Sequence, residues 1–215
     1  GNNTAAATVD PVTGIVTGVS AGSATISYTV TSTCGSAVSS SNITISALPN
    51  AGVVSGSSAI CAGSVATLTS NGTGGGSWSS NNNLVATVNS ATGVVTGVAA
   101  GSATITYTVT NTCGVATSTE NVTINPLPNS GVVSGAGTLC AGVTTAFTST
   151  GNGGGSWSSS NTAVATVDAL TGAVTGVAAG SATISYTVTS ATCGSSVSSA
   201  NITINPAPDP GTISG

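Results

Sequence analysis

The chain contains no lysine, arginine, histidine or methionine among its 215 residues. Phosphate backbones and anionic membrane surfaces are bound through lysine and arginine, so the composition excludes nucleic-acid binding and a polybasic membrane contact. Histidine is the most frequent general base, and lysine is the residue that forms Schiff bases. The absence of these residue types predicts that the chain is not an enzyme.

Negative charge is also scarce. The formal net charge is −4, and it comes from four carboxylates: Asp10, Glu120, Asp168 and Asp209. No two of them are close in sequence, so we expect neither a pair for acid–base chemistry nor a cage for a hard cation. No apolar run is long enough to cross a bilayer. The sequence therefore predicts no cofactor, no metal and no membrane insertion.

Small uncharged residues take the place of charge. Hydrophobic residues make up 39% of the chain and the mean hydropathy is +0.44, while most polar residues are serine, threonine and asparagine. A surface with so little charge has weak colloidal repulsion. This composition indicates association with copies of the same chain or with neighbouring repeats.

One stretch of seventeen residues occurs three times with small changes. The copies are GIVTGVSAGSATISYTV at 14–30, GVVTGVAAGSATITYTV at 93–109 and GAVTGVAAGSATISYTV at 172–188. The starting glycines are 79 residues apart in both intervals. A period of this length predicts an array of domain-sized units.

The period divides the chain into four segments. They are the C-terminal part of a repeat at 1–48, complete repeats at 49–127 and 128–207, and the first strand of another repeat at 208–215. Proline stands at each boundary and fixes φ, so the connections are expected to be short and stiff. The last residues repeat the sequence motif that opens each earlier unit. This predicts that the chain is a segment of a longer array.

Apolar and polar residues alternate through the central repeat. One face of a predicted strand carries Ala103, Ile105, Tyr107 and Val109, and the other carries serine and threonine. The pattern predicts seven strands: Val53–Ile60, Ser64–Ser70, Ser77–Asn81, Leu84–Val88, Val94–Val98, Ser102–Thr110 and Ala116–Ile124. About seven short strands with frequent turns are typical of a β-sandwich. The predicted fold class is all-β, with tandem sandwiches of about 79 residues each.

Several motifs of the central repeat resemble a known family. They are WSSN at 78–81, VATV at 85–88, GVVT at 93–96 and AGSATI at 100–105. In this order they resemble the bacterial group-2 immunoglobulin-like domain, and the sequences around Cys61 and Cys113 resemble variants in long surface proteins of Bacteroidetes-type bacteria. The resemblance implies tandem immunoglobulin-like sandwiches in an extracellular or cell-surface scaffold, and it implies no ligand.

Five cysteines recur with the repeat: Cys34, Cys61, Cys113, Cys140 and Cys193. Recurring cysteines in such a protein predict disulfides in an oxidising compartment. In an immunoglobulin topology Cys61 and Cys113 lie at opposite ends of the sandwich, about 20 Å apart, and a disulfide needs Cα atoms within about 7 Å. The preferred pair is therefore Cys61 with Cys193, between repeats. The pairs Cys61–Cys113 and Cys140–Cys193, or a bridge to a neighbouring chain, are the alternatives.

Five aromatic residues are predicted to lie in the cores: Trp78, Trp157, Tyr28, Tyr107 and Tyr186. Each tryptophan follows a glycine run and takes the place of the core tryptophan of a sandwich. The competing interpretation is a stacking platform, with surface glycans or a receptor as partner. The glycine runs lack the lysine and the helix of a phosphate-binding loop.

These observations predict a structural extracellular protein, a segment of a filament or adhesin stalk whose immunoglobulin-like repeats associate with one another. The alternative is an adhesin module that binds a glycan or a receptor through the tryptophans. Both interpretations place the protein outside the cell or at its surface.

Overall fold

The computed structural model describes residues 3–208, and all regular structure in this range is β-strand. No helix in the described range could cross a membrane. The predicted all-β fold class is confirmed. The strand predicted at 208–215 lies, except for Pro208, outside the described residues.

The strands follow the sequence repeat. Residues 3–48 contain β1 (Ala7–Val9), β2 (Val16–Gly18), β3 (Gly22–Ser32) and β4 (Gly35–Ile45). Residues 49–127 contain β5 (Val54–Ser55), β6 (Ala59–Cys61), β7 (Val65–Thr67), β8 (Thr69–Ser70), β9 (Ser77–Ser80), β10 (Ala86–Val88), β11 (Val94–Gly97), β12 (Gly101–Asn111) and β13 (Gly114–Asn125). Residues 128–207 contain β14 (Val133–Ser134), β15 (Thr138–Cys140), β16 (Thr144–Ala146), β17 (Thr148–Ser149), β18 (Ser156–Ser159), β19 (Ala165–Val167), β20 (Ala173–Gly176), β21 (Gly180–Ser190) and β22 (Gly194–Asn205).

Two sheets face each other in each complete repeat. In residues 49–127 one sheet has the order β6-β13-β12-β9, the other has the order β10-β11-β7, and β5 pairs with β8. The long hairpin β12–β13 is antiparallel, and β6 runs parallel to the end of β13. Residues 128–207 repeat this arrangement as β15-β22-β21-β18, β16-β20-β19 and β14-β17.

The core of the central repeat is the inner face of the β12–β13 hairpin, packed against the opposite sheet. Burial alternates along β12 as the sequence pattern predicts, and Ile105, Val122 and Ile124 are almost completely buried. Each such aliphatic side chain contributes about 1.5–3 kcal/mol when it leaves water. Because the chain has so few charges, this burial is the main favourable contribution to the free energy of folding.

The predicted first strand, Val53–Ile60, is two strands in the structure. β5 pairs with β8, whereas β6 joins the four-stranded sheet beside β13. The chain changes sheets at Gly56, whose φ is +145° and whose missing Cβ would lie 2.7 Å from both the Leu68 side chain and the Thr67 carbonyl oxygen. Only glycine fits there, because a side chain would clash and be strained.

The predicted second strand, Ser64–Ser70, is also divided. Its two parts pair with different partners, β7 with β11 and β8 with β5. At the break, the Leu68 N–H donates to the Gly93 carbonyl, and the Leu68 side chain is buried. The alternation of the sequence continues through this break, so periodicity could not reveal it.

A hydrogen-bonded tyrosine explains the glycine run before Trp78. The rings of Trp78 and Tyr107 pack at a centroid distance of 4.7 Å, and each residue is 7% exposed. The Tyr107 hydroxyl donates to the Thr73 carbonyl and accepts from the Gly76 N–H, both at 3.0 Å. A Cβ on Gly76 would lie 2.6 Å from the tyrosine ring, so the loop can close over Tyr107 only as glycine.

The last complete repeat contains the same arrangement. Trp157 and Tyr186 pack at 4.8 Å, and the Tyr186 hydroxyl bonds to the Gly155 N–H and the Asn152 carbonyl. Both aromatic residues are 7% exposed. The recurrence shows that the last glycine of each run, Gly76 or Gly155, is required by the packing of the tyrosine.

The prediction of a core position is wrong for Tyr28, which is 73% exposed. The hairpin β3–β4 has nearly the sequence of β12–β13, but the described part of residues 1–48 contains no counterpart of β9 and its tryptophan. Val30, on the same face, is 52% exposed for the same reason.

Replacing Tyr107 with phenylalanine is expected to destabilise its repeat by about 1–3 kcal/mol, because the Gly76 N–H and the Thr73 carbonyl lose their partner in a partly buried site. Urea unfolding followed by tryptophan fluorescence measures the change, and Tyr186→Phe should behave alike. Tyr28→Phe is the matched control and should change stability by less than about 0.5 kcal/mol, measured by circular dichroism because residues 1–48 contain no tryptophan. Equal effects at positions 28 and 107 would contradict a stabilising role of the hydrogen bonds of the Tyr107 hydroxyl.

Candidate functional site at the junction between repeats

The end of one complete repeat is bonded covalently to the next. Cys61 is the last residue of β6, and Cys193 lies in the turn between β21 and β22. The structure joins them in a disulfide, with an S–S distance of 2.04 Å, a Cα–Cα distance of 5.6 Å and a sequence separation of 132 residues. This bond links residues 49–127 to residues 128–207 independently of the peptide linker.

Polar contacts surround the disulfide. Asn125, the Cα partner of Cys61 in the sheet, donates from Nδ2 to Thr192 Oγ1 at 3.3 Å. The Thr192 carbonyl oxygen lies 3.5 Å from Cys61 Sγ, and the Asn125 carbonyl oxygen lies 4.0 Å from Cys193 Sγ. The tip of the β21–β22 hairpin therefore sits on the end of the preceding repeat.

The peptide linker at this junction is very short. β13 ends at Asn125, and Asn129 already belongs to the following repeat, because its N–H donates to Asn152 Oδ1 at 2.8 Å. Ser130 is 3% exposed, and its N–H and hydroxyl bond to the Ser196 hydroxyl. Only residues 126–128 remain between the repeats, and two of these three are proline, which limits their freedom.

At the junction before residue 49, a hairpin tip also contacts the end of the preceding unit. Asn111, next to the tip of the β12–β13 hairpin, donates from Nδ2 to the Ala47 carbonyl at 2.9 Å. Cys113 Sγ lies 3.8 Å from the Ser46 carbonyl oxygen. Ser46 takes the place of Asn125, and Cys113 takes the place of Cys193. The seating of a hairpin tip on the preceding unit is therefore a repeated feature.

The other three cysteines, Cys34, Cys113 and Cys140, are free and exposed. The structure thus forms neither of the two alternative pairs within a repeat. Cys140 ends β15 next to Asn205, in the setting that Cys61 has next to Asn125. A bridge to a neighbouring chain stays a hypothesis.

Sequence reasoning missed Asn125, Asn111 and Thr192 as junction residues. Two signals could have found them: Asn125 ends the last strand directly before the Pro-Leu-Pro linker, and Asn111 and Thr192 stand within two residues of a recurring cysteine. Their side chains bond across the boundary, which no alternation pattern reveals.

The described residues contain no group of three or more histidine, cysteine, aspartate or glutamate side chains that could hold a metal ion. Asp168 instead closes the turn before β20. Its Oδ1 accepts from the Thr171 N–H and hydroxyl, both at 2.8 Å, and from the Leu170 N–H at 3.1 Å. These bonds, that of the Thr171 N–H first, hold the pKa of Asp168 below its ordinary value. The Thr13 N–H and then the Val12 N–H lower the pKa of Asp10 likewise.

The tryptophans are badly placed for a sugar. A stacking platform presents an exposed ring face, whereas Trp78 and Trp157 are each 7% exposed and belong to the two cores. The glycan-binding alternative therefore loses the residues on which it was based.

The family model of the bacterial Ig-like domain (group 2) matches residues 63–120 and 118–198. No curated protein sequence matches the chain. Among solved structures, a SusE-like surface-located polysaccharide-binding protein of the Bacteroides thetaiotaomicron heparin utilisation locus shares 15% identity at a TM-score of 0.30, over 95% of this chain and 42% of that one.

A fragment of intimin, solved with the intimin-binding domain of its translocated receptor, shares 16% identity at a TM-score of 0.43, over 71% of this chain and 63% of that one. Mouse cadherin-23 EC22-24 shares 13% identity at a TM-score of 0.37, over 86% of this chain and 74% of that one. At these values the likenesses carry no argument about a ligand, and the chain spans less than two thirds of the first two structures.

Glutamyl endopeptidase distinguishes the cysteine pairings, because Glu120 is the only glutamate. Cleavage of the denatured, alkylated protein is expected to leave two fragments that stay joined by Cys61–Cys193 and separate on reduction. Cys61→Ser should separate them without reductant, and Cys140→Ser should leave them joined. Fragments that separate in the unreduced wild type would contradict this bond, since both alternative pairs lie on one side of Glu120.

Asp168 should make its repeat sensitive to acid. Its pKa is lowered on folding, so the stabilisation by the ionised form is complete above the unfolded pKa and is lost as the pH falls below about 4, through the folded pKa. Asp168→Asn should reduce this loss, because Asn89 closes the same turn in the other repeat with bonds of 3.0 Å. Thermal unfolding at pH 3 and pH 6 measures this loss of stability. Asn89→Asp should make the other repeat sensitive to acid in the same way. Identical pH profiles for the wild type and Asp168→Asn would refute the assignment of the acid sensitivity to Asp168.

Proposed function

Because this chain belongs to the bacterial Ig-like domain (group 2) family, we propose that it is a structural segment of an extracellular filament or adhesin stalk whose tandem repeats associate with one another. The junction carries the proposal. A three-residue linker, a hairpin tip seated on the preceding repeat and the Cys61–Cys193 disulfide restrain the same boundary. A joint restrained in three ways resists bending, as a stalk requires.

An extracellular location is supported by the disulfide. Disulfides persist in oxidising environments and are rare in reducing cytosol. The bond at the junction is therefore useful to a protein that acts outside the cell.

Self-association is supported by the outer face of the long hairpins. On β12 and β13 the Thr104 hydroxyl donates to Asn121 Oδ1 at 2.8 Å, and on β21 and β22 Thr183 donates to Asn201 Oδ1 at the same distance. These polar groups are satisfied within the sheet, so covering them costs less than covering unpaired groups. With almost no charge to repel a second chain, two such faces can pack together.

Electron microscopy of the native material, untreated and after reduction, tests the proposed function. Regular fibres of constant diameter are the expected result. Fibres that are lost on reduction would assign the disulfide to the joints of the polymer. Thin separate strands that end in a distinct head would contradict self-association.

Charge added to the outer face should prevent lateral packing. Thr106→Lys with Ser185→Lys introduces two positive charges on the outer face of β12 and β21, and we expect loss of fibres without loss of the β-sheet circular dichroism signal. The control is Leu84→Lys with Leu170→Lys, which adds the same charge at turn positions that are 81% and 87% exposed. Equal fibre formation by both double variants would overturn packing through these faces.

A further inference from the structure

The Cys61–Cys193 disulfide encloses most of both complete repeats in one covalent loop. Pro49 lies only 12 residues before Cys61, and Ala207 lies 14 residues after Cys193. The loop between the two cysteines has a sequence separation of 132 residues. Both tryptophans, both hydrogen-bonded tyrosines and the linker lie inside it.

The shortest covalent path through the two repeats therefore bypasses this loop. From Pro49 to Ala207 the path along the backbone has 158 residue steps, and the path through the disulfide has 26 steps and a Cα–Cα distance of 5.6 Å. At about 3.5 Å per extended residue, these paths are about 550 Å and about 100 Å long.

The short path is close in length to the folded pair. The hairpin tip at Cys193 sits on Asn125, and β22 then leads away from that junction for 12 residues. β12 and β21 have 11 residues each, about 36 Å at the rise of a strand, so two repeats placed end to end span about 70 Å. A pull on the ends of the pair can lengthen the short path by only a few tens of ångströms.

The load that enters at Cys193 passes into a strand that is already extended. β22 pairs with β21 from Gly194 to Ile204, and its last residues also pair with β15. Because these hydrogen bonds are perpendicular to the strand, a pull along β22 loads many of them together. The covalent path through the disulfide includes no residue of the opposite sheet and neither Trp157 nor Tyr186.

We infer that the Cys61–Cys193 disulfide is a mechanical bypass, which transmits tension from β6 of one repeat to β22 of the next and keeps residues 62–192 out of the load path. The purpose of this device rests on the proposed stalk function. The bypass itself is a property of one chain and is tested without assembly, so failure of fibre formation does not affect its test.

Single-molecule stretching of the 215-residue chain, held by tags at its two ends, tests the inference. The oxidised wild type is expected to reach a final contour length about 460 Å shorter than the reduced protein, because 132 residue steps stay within the loop. Reduction should restore the unfolding steps of both complete repeats. Cys61→Ser should resemble the reduced wild type in oxidising buffer.

Cys140→Ser is the matched control, since it also removes an exposed strand-end cysteine, and it should keep the short contour length. A final length that is the same for oxidised wild type and Cys61→Ser would overturn the inference. A difference of only about 370 Å would also overturn it, because this value corresponds to the pairs Cys61–Cys113 and Cys140–Cys193. Lower thermal stability alone does not change contour length, so the difference in length reports the covalent path and not a loss of stability in Cys61→Ser.

Discussion

Each complete repeat depends on burying the inner face of its long hairpin against a second sheet. In residues 49–127 this face contributes Ile105, Val122 and Ile124, all at most 1% exposed, and the neighbouring tyrosine packs on Trp78. The hairpin β3–β4 has a similar sequence but packs on β1 and β2 only through a small cluster around Ala24, and Tyr28 is largely exposed. The local alternation is sufficient for the hairpin to form. Its inner face becomes a hydrophobic core only where a second sheet covers it.

Hydrogen bonds between side chains and the backbone of loops and turns replace the ion pairs that this composition cannot supply. Tyr107 binds the glycine loop, and Asn89 and Asp168 close equivalent turns with bonds to following N–H groups. Such contacts need glycine where the backbone approaches a ring or leaves the β region, as at Gly76 and Gly56. The high glycine content is therefore compatible with an ordered structure, because several glycines stand where a Cβ would clash.

The junction combines features that are weak separately. A proline linker alone limits rotation, and a hydrogen bond such as Asn125–Thr192 contributes about 1 kcal/mol. A disulfide alone holds one pair of Cα atoms within about 7 Å. Acting at one boundary, they hold the hairpin tip of one repeat on the strand end of the previous one. At the first junction the hairpin tip contacts the end of the preceding unit through Asn111 and Cys113.

The sequence by itself determined the all-β class, the period of the repeats and the buried face of β12, because these depend on composition and on local alternation. Tertiary structure decided what local patterns cannot encode. It set the change of sheet at Gly56, the exposure of Tyr28 and the contacts of Asn125 with the next repeat. It also decided which cysteines lie within bonding distance, since Cys61 and Cys193 are 132 residues apart in sequence and their Cα atoms are 5.6 Å apart only because one repeat seats on another.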